Sequence, residues 1–179
     1  MATNVKALLE GHDADAPAIG APGRDWQTYG GLRALSDEVR TSLRGFGVGP
    51  SARVAIVLPN GPEMAAAFVT IAQAATTAPL NPAYREDEFK FYMEDLGAKA
   101  VVLAQGYDGP ALAAANALGL TVLRTIVDAD HPAGMFSLAA DGAVWGAVPS
   151  SDPTDSDVAL ILHTSGTTSR PKIVPLLQS

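Results

Sequence analysis

The 179-residue sequence contains no cysteine. That excludes a disulfide framework, a thiolate metal site and a cysteine nucleophile, and it fits a reducing compartment. Positive charge is scarce: 12 Lys and Arg stand against 19 Asp and Glu, for a formal net charge of -7. The basic residues are spaced singly, so no nucleic-acid-binding face is expected. Long hydrophobic runs are also missing. Hydrophobic residues make up 47% of the chain and mean hydropathy is +0.15. Yet no segment approaches the roughly 20 continuous apolar residues that a membrane helix needs. Met1–Gly11 holds Val5, Leu8 and Leu9 without a long apolar core and cleavage site. It reads as a short amphipathic helix, not a secretion signal, and the expected location is cytoplasmic. The apolar fraction rules out overall disorder. The length suits one domain with a sizeable core.

What is present is alternation. Ala-Pro-Gly-Arg-Asp between Ala18–Gly20 and Trp26–Tyr29 predicts a β-hairpin. Thr28 stands before a helical pattern of Leu32, Leu35, Val39, Leu43 and Phe46, which Gly45, Gly47, Gly49 and Pro50 end. Strands are expected at Arg53–Leu58, Thr76–Leu80, Lys99–Ala104 and Leu120–Val127. Between them lie helical patterns built on Met64, Ala67, Phe68 and Ile71, then on Phe89, Tyr92, Met93 and Leu96, then over Pro110–Leu118. Asp87 and Glu88 suit the positive end of the middle helix. The fold class is therefore α/β, a mostly parallel sheet flanked by helices. Continuous apolar strands such as RVAIVL and AVVLA fit burial on both faces. Asp128–Asp157 is rich in Asp, Gly, Pro and Ser and reads as a surface connection. One short element is expected near Phe136–Ala139, with Trp145 plugging the rim of the core.

The chemistry concentrates at one place. An apolar strand, Val158–Leu162, runs into His163-Thr164-Ser165-Gly166-Thr167-Thr168-Ser169-Arg170-Pro171-Lys172. Gly166 permits close backbone approach to an anion. Successive N–H groups in a tight loop form an anion-binding nest. The hydroxyls add donors and Lys172 adds a point charge. Such a cluster taken alone is more often a plain loop; the strand before it and the Pro-Lys ending favour phosphate. The segment is not a Walker A loop, because Lys172 lies between Pro171 and Ile173. No dinucleotide fingerprint, His-x-x-x-His or nucleophile elbow occurs. His12, His131 and His163 are far apart in sequence. His163 could touch a ligand or be a strand-end residue with a backbone partner, and the sequence leaves both open.

Thr164-Ser-Gly-Thr-Thr-Ser-Arg-Pro-Lys172 resembles the phosphate-loop signature of adenylate-forming (AMP-binding) enzymes, usually T-S-G-T-T-G-x-P-K-G-V. Upstream, Thr28-Tyr-Gly-Gly-Leu32, Gly47-Val-Gly-Pro50, Arg53-Val-Ala55, Leu58-Pro-Asn60 with Glu63, and Pro79-Leu-Asn-Pro82 before Glu86 and Phe89 follow in the family's order. The resemblance spans about residues 5–176 and is strongest to oxalate–CoA ligase-like acyl-CoA synthetases. Ser169 stands where Gly is usual, as in the oxalate-ligase-like branch. Ile173 stands where Gly follows the lysine, and its β-branch disfavours positive φ.

The resemblance implies the N-terminal part of an ATP-dependent acid–CoA ligase. In that family a small-molecule carboxylic acid attacks Mg-ATP, giving acyl-AMP and pyrophosphate; coenzyme A then displaces AMP. ATP, Mg2+ and coenzyme A are thereby implied. Thr164, Ser165, Gly166, Thr167, Thr168 and Lys172 would bind the ATP phosphates, with His163 and Ser169 as contributors. No metal ligand and no catalytic residue is assigned before Ser179. The implied division is a sheet core over 30–127, a surface connection over 128–157, and strand plus phosphate loop over 158–175. This would be an incomplete N-terminal AMP-binding domain without its C-terminal domain, inactive without the remainder of its polypeptide. Two alternatives are a non-catalytic ATP- or phosphate-binding module that kept the fold, and an unrelated α/β phosphate-binding domain.

Overall fold

The computed structural model describes residues 4–144, 146–149, 151–164 and 171–179. Trp145 lies outside them. The Asn4 side chain accepts from the Ala7 N–H at 2.9 Å and starts α1 (Val5–Glu10). The expected hairpin follows as β1 (Pro17–Ala21) and β2 (Arg24–Thr28). Thr28 then caps α2 (Tyr29–Gly45), its hydroxyl accepting from the Gly31 N–H at 3.1 Å. Leu32, Leu35, Val39 and Leu43 are all buried, as their helical spacing requires. Phe46 falls just past the helix and is half-buried.

The alternating units are β3 (Arg53–Val57), α3 (Pro62–Ala72), β4 (Thr76–Pro79), α4 (Glu86–Leu96), β5 (Ala100–Ala104), α5 (Pro110–Ala117) and β6 (Thr121–Ile126). Three further strands are β7 (Ser137–Ala140), β8 (Val158–Thr164) and β9 (Lys172–Leu177). Seven strands form one sheet in the order β7-β6-β5-β3-β4-β8-β9. The inner five are parallel; β7 and β9 pair antiparallel at the two edges. Strand side chains alternate between faces. Val54 and Ile56 therefore join α2 and α3 on one face, while Ala55 and Val57 join α4 and α5 on the other. Both layers are buried, and each large side chain contributes about 1.5–3 kcal/mol relative to exposure.

The helix caps are local. The Arg85 N–H donates to Glu88 Oε2 at 2.9 Å, and Glu86, Asp87 and Glu88 occupy the first turn of α4. Gly97 ends α4 at φ 57°, a conformation that costs a side-chain-bearing residue energy.

Three features differ from the sequence expectation. In α3 the fully buried positions are Ala66, Ala67, Thr70, Ile71 and Ala72, whereas Met64 and Phe68 are half-buried. Small residues let the helix lie close on the sheet, which pushes the long ones to its flanks. The 128–157 connection is less superficial than its composition suggests, because Ala133 and Phe136 are buried and β7 extends the sheet. Lys172–Leu177 is a full strand, β9, and not merely the loop's exit.

Arg44 locks α2 to its surroundings. The residue is 4% exposed, and its guanidinium donates to the Val48, Ala74 and Ser151 carbonyls at 2.7, 2.8 and 2.7 Å. Burial pushes its pKa down from the ordinary value; Asp152 opposes that shift and Arg40 adds to it. Arg44→Ala should destabilise the chain by about 3 kcal/mol in urea unfolding, because three carbonyls lose a charged donor. Arg44→Met, which keeps the apolar stem, should cost nearly as much.

β8 and β9 carry exposed apolar side chains: Leu162, Val174, Leu176 and Leu177 are each 39%, 36%, 46% and 49% exposed. A neighbouring groove of about 320 Å³ is lined from α1, α3, β8 and β9. Patches of this kind bind apolar probes. The 179-residue polypeptide should therefore raise the fluorescence of a hydrophobic dye under native conditions. Leu176→Lys should lower that signal without lowering the unfolding midpoint; an unchanged signal would exclude this surface as the dye site.

Candidate functional site

The C-terminal ends of β3 and β4 lie side by side, but the helices that follow leave to opposite faces. α3 joins the layer of α2, and α4 joins the layer of α5. A crevice opens at such a switch point, and ligands of open α/β sheets bind there. β8 is parallel to β4 and adjacent to it. Its C-terminal residue, Thr164, thus lies at the same edge of the sheet.

Side chains reinforce the attachment of β8 to β4. One residue pair, Thr77 with Leu160, is in ladder register. Beside it, the Thr76 hydroxyl donates to the Val158 carbonyl at 2.7 Å and the Thr77 hydroxyl to the Ala159 carbonyl at 2.8 Å. Ile161 is buried in the α4 layer. Beyond Ile161, β8 pairs only with β9 among the described residues: Leu162 with Val174, His163 with Ile173, Thr164 with Lys172.

Directly opposed residues of an antiparallel pair project from the same face. Ile161 and His163 face α4, so Thr164 and Lys172 share the opposite face at the hairpin's mouth. Both are exposed. Ser165, Gly166, Thr167, Thr168 and Ser169, the other predicted phosphate ligands, lie outside the described residues. Ile173 sits in extended β9, where a β-branch is favoured, and among the described residues no non-glycine residue has positive φ.

His163 has a side-chain partner where a backbone partner or a ligand was the expectation. Its imidazole is 7% exposed, with Nε2 3.2 Å from Asp95 Oδ2 of α4. The ring packs edge-on against Tyr92 at 4.7 Å, and Tyr92 stacks on Tyr84 at 4.8 Å. Tyr84 lies in the turn after β4. Burial raises its phenol pKa above the ordinary value, with hydrogen bonding to Tyr92 adding to the effect. Asp95 and Tyr84 carry no sequence signal for this role, since Asp95 is 68 residues from His163.

A cleft of about 540 Å³ opens past β6, lined in part by Ile126, Asp128, His131 and Phe136. β6 is four strands from β8, roughly 19 Å at ordinary strand spacing, so this cleft is separate from the loop. Among the described residues, no group of three or more His, Asp or Glu could hold a metal ion. Nor is any described helix long and apolar enough to cross a membrane.

The family model for AMP-binding enzymes matches residues 7–178. An oxalate–CoA ligase of Arabidopsis thaliana is 36% identical over 167 residues, covering 92% of this chain and 32% of the relative. An oxalate–CoA ligase of Saccharomyces cerevisiae is 36% identical over 146 residues, 69% of this chain and 27% of the relative. Among solved structures, apo MatB of Rhodopseudomonas palustris superposes with a TM-score of 0.76 at 27% identity, covering 99% of this chain and 35% of that one. Its ATP-bound form gives 0.75 at 28% identity, with the same coverage. The chain thus spans about a third of the length of the Arabidopsis ligase and of MatB. On the family match, the sequence identities and the shared α/β sheet, the chain belongs to the AMP-binding enzyme family.

Proposed function

We propose that this chain supplies the phosphate-gripping N-terminal part of an ATP-dependent acid–CoA ligase. The observation that supports it is the mouth of the β8–β9 hairpin, where Thr164 and Lys172 oppose one another at the edge carrying the switch point. Similarity to oxalate–CoA ligases over most of the chain points to a small carboxylic acid as substrate.

In this reading Lys172 neutralises charge on the β- and γ-phosphates of ATP. Thr164 and the hydroxyls and N–H groups of Ser165, Gly166, Thr167 and Thr168 donate hydrogen bonds to their oxygens, with Ser169 and His163 flanking them. When the acid's carboxylate attacks the α-phosphorus, the α–β bridging bond breaks and pyrophosphate leaves with its charge already neutralised. A thiol, that of coenzyme A, then attacks the acyl carbon and AMP departs. The described residues offer no ligand set for the Mg2+ that accompanies ATP, so no step here is assigned to it. The chain is one part of that ligase: binding of the phosphates belongs to it, and turnover requires further groups.

Two measurements test this. Titration of the 179-residue chain with pyrophosphate should give saturable binding that Lys172→Ala weakens roughly tenfold, the weight of a hydrogen bond to a charged group. Absence of a Lys172-dependent signal would remove the reading. The same chain should give no ATP–pyrophosphate exchange; exchange above background would show a self-sufficient adenylating unit.

A further inference from the structure

We propose that His163 and Asp95 form a clamp that sets the direction in which β8 leaves the sheet, making His163 a positioning residue for the segment that follows. Its effect on phosphate affinity rests on the reading above; its effect on the hairpin does not.

β4 accompanies β8 in register at Leu160. Past that point its lateral neighbour among the described residues is β9, an edge strand exposed at every position. Strand ends held in this way fray. On one face, Leu162 and Thr164 are exposed. On the other, Ile161 and His163 reach α4. Ile161 packs without direction, as apolar groups do. His163 is different, because a nearly buried imidazole needs a hydrogen-bond partner and the bond has a preferred geometry. Asp95 meets that need at 3.2 Å, and Tyr92 closes the ring's flank at 4.7 Å. Among the described residues, this pair is therefore the last directional side-chain tie from β8 to the helix layer.

The consequence follows from strand geometry. Because side chains alternate, the face that His163 turns to α4 fixes the face that Thr164 presents. Through the ladder, His163 with Ile173 and Thr164 with Lys172, it also fixes the face of Lys172. Losing the clamp lets the end of β8 rotate and separates the hydroxyl from the ammonium.

The test uses Asp95→Ala, which removes the partner from the more exposed side, together with His163→Ala and His163→Gln. Amide hydrogen exchange in the 179-residue chain is read at 162–164 and 172–174, with β3 and β5 as internal controls. Asp95→Ala and His163→Ala should each speed exchange at the hairpin mouth about tenfold, the worth of one hydrogen bond to a charged group. The controls should stay unchanged, and the double variant should be no worse than either single one. His163→Gln, which keeps a side-chain N–H, should recover much of the protection. Unchanged exchange at 172–174 in both alanine variants, or an equal rise throughout the sheet, overturns the clamp. Pyrophosphate titration then separates the two readings. Faster exchange with a matching loss of Lys172-dependent affinity supports positioning. Faster exchange with undiminished affinity overturns it. A wild-type chain without Lys172-dependent binding defeats the phosphate reading, while the exchange result still decides the clamp.

Discussion

The whole arrangement depends on a parallel sheet whose inner strands are stripped of water on both faces. β3 and β5 carry apolar side chains at every inner position, and neither face can be left to solvent. That demand dictates a helix layer on each side, and the chain supplies them in sequence order: α2 and α3 on one face, α4 and α5 on the other. The switch from one layer to the other, between the helices that follow β3 and β4, is a by-product of covering both faces.

β8 and β9 stand at the weak margin of that construction. Two threonine hydroxyls and one in-register pair tie β8 to β4, where β3 and β5 share four ladder pairs. β9 is exposed along its length. At such a margin the directional side-chain tie from His163 to Asp95 stands out. Arg44 and the apolar layers fix the body, whereas on the α4 side the His163–Asp95 pair meets the end of β8.

Much of the fold was legible in sequence because its signals are local. Leu32, Leu35, Val39 and Leu43 announce one helix face, and RVAIV a doubly buried strand. β9 was not legible. Pro175 within KIVPLL argues against a ladder strand, and it is tolerated here because β9 lies at the sheet's edge, where an unpaired N–H is no loss. The side-by-side placement of Thr164 and Lys172 was equally hidden. They are eight positions apart, and only the hairpin register makes them neighbours. His163 illustrates the limit best. Its residue type suggested a strand-end role or a ligand contact, but its partner is an aspartate on a helix 68 residues earlier.

By itself, then, the sequence determined the class of fold, the position of the hydroxyl-rich segment along the chain and the resemblance to the AMP-binding family. Each of these is written in spacing or in consecutive residues. Only the tertiary structure decided which side chains meet: Thr164 with Lys172 across a hairpin, His163 with Asp95 across the sheet–helix interface, and Arg44 with three distant carbonyls. Those encounters follow from strand register and layer packing. They are set by burying both faces of a sheet at once, a condition imposed by the whole chain and carried by no single stretch of it.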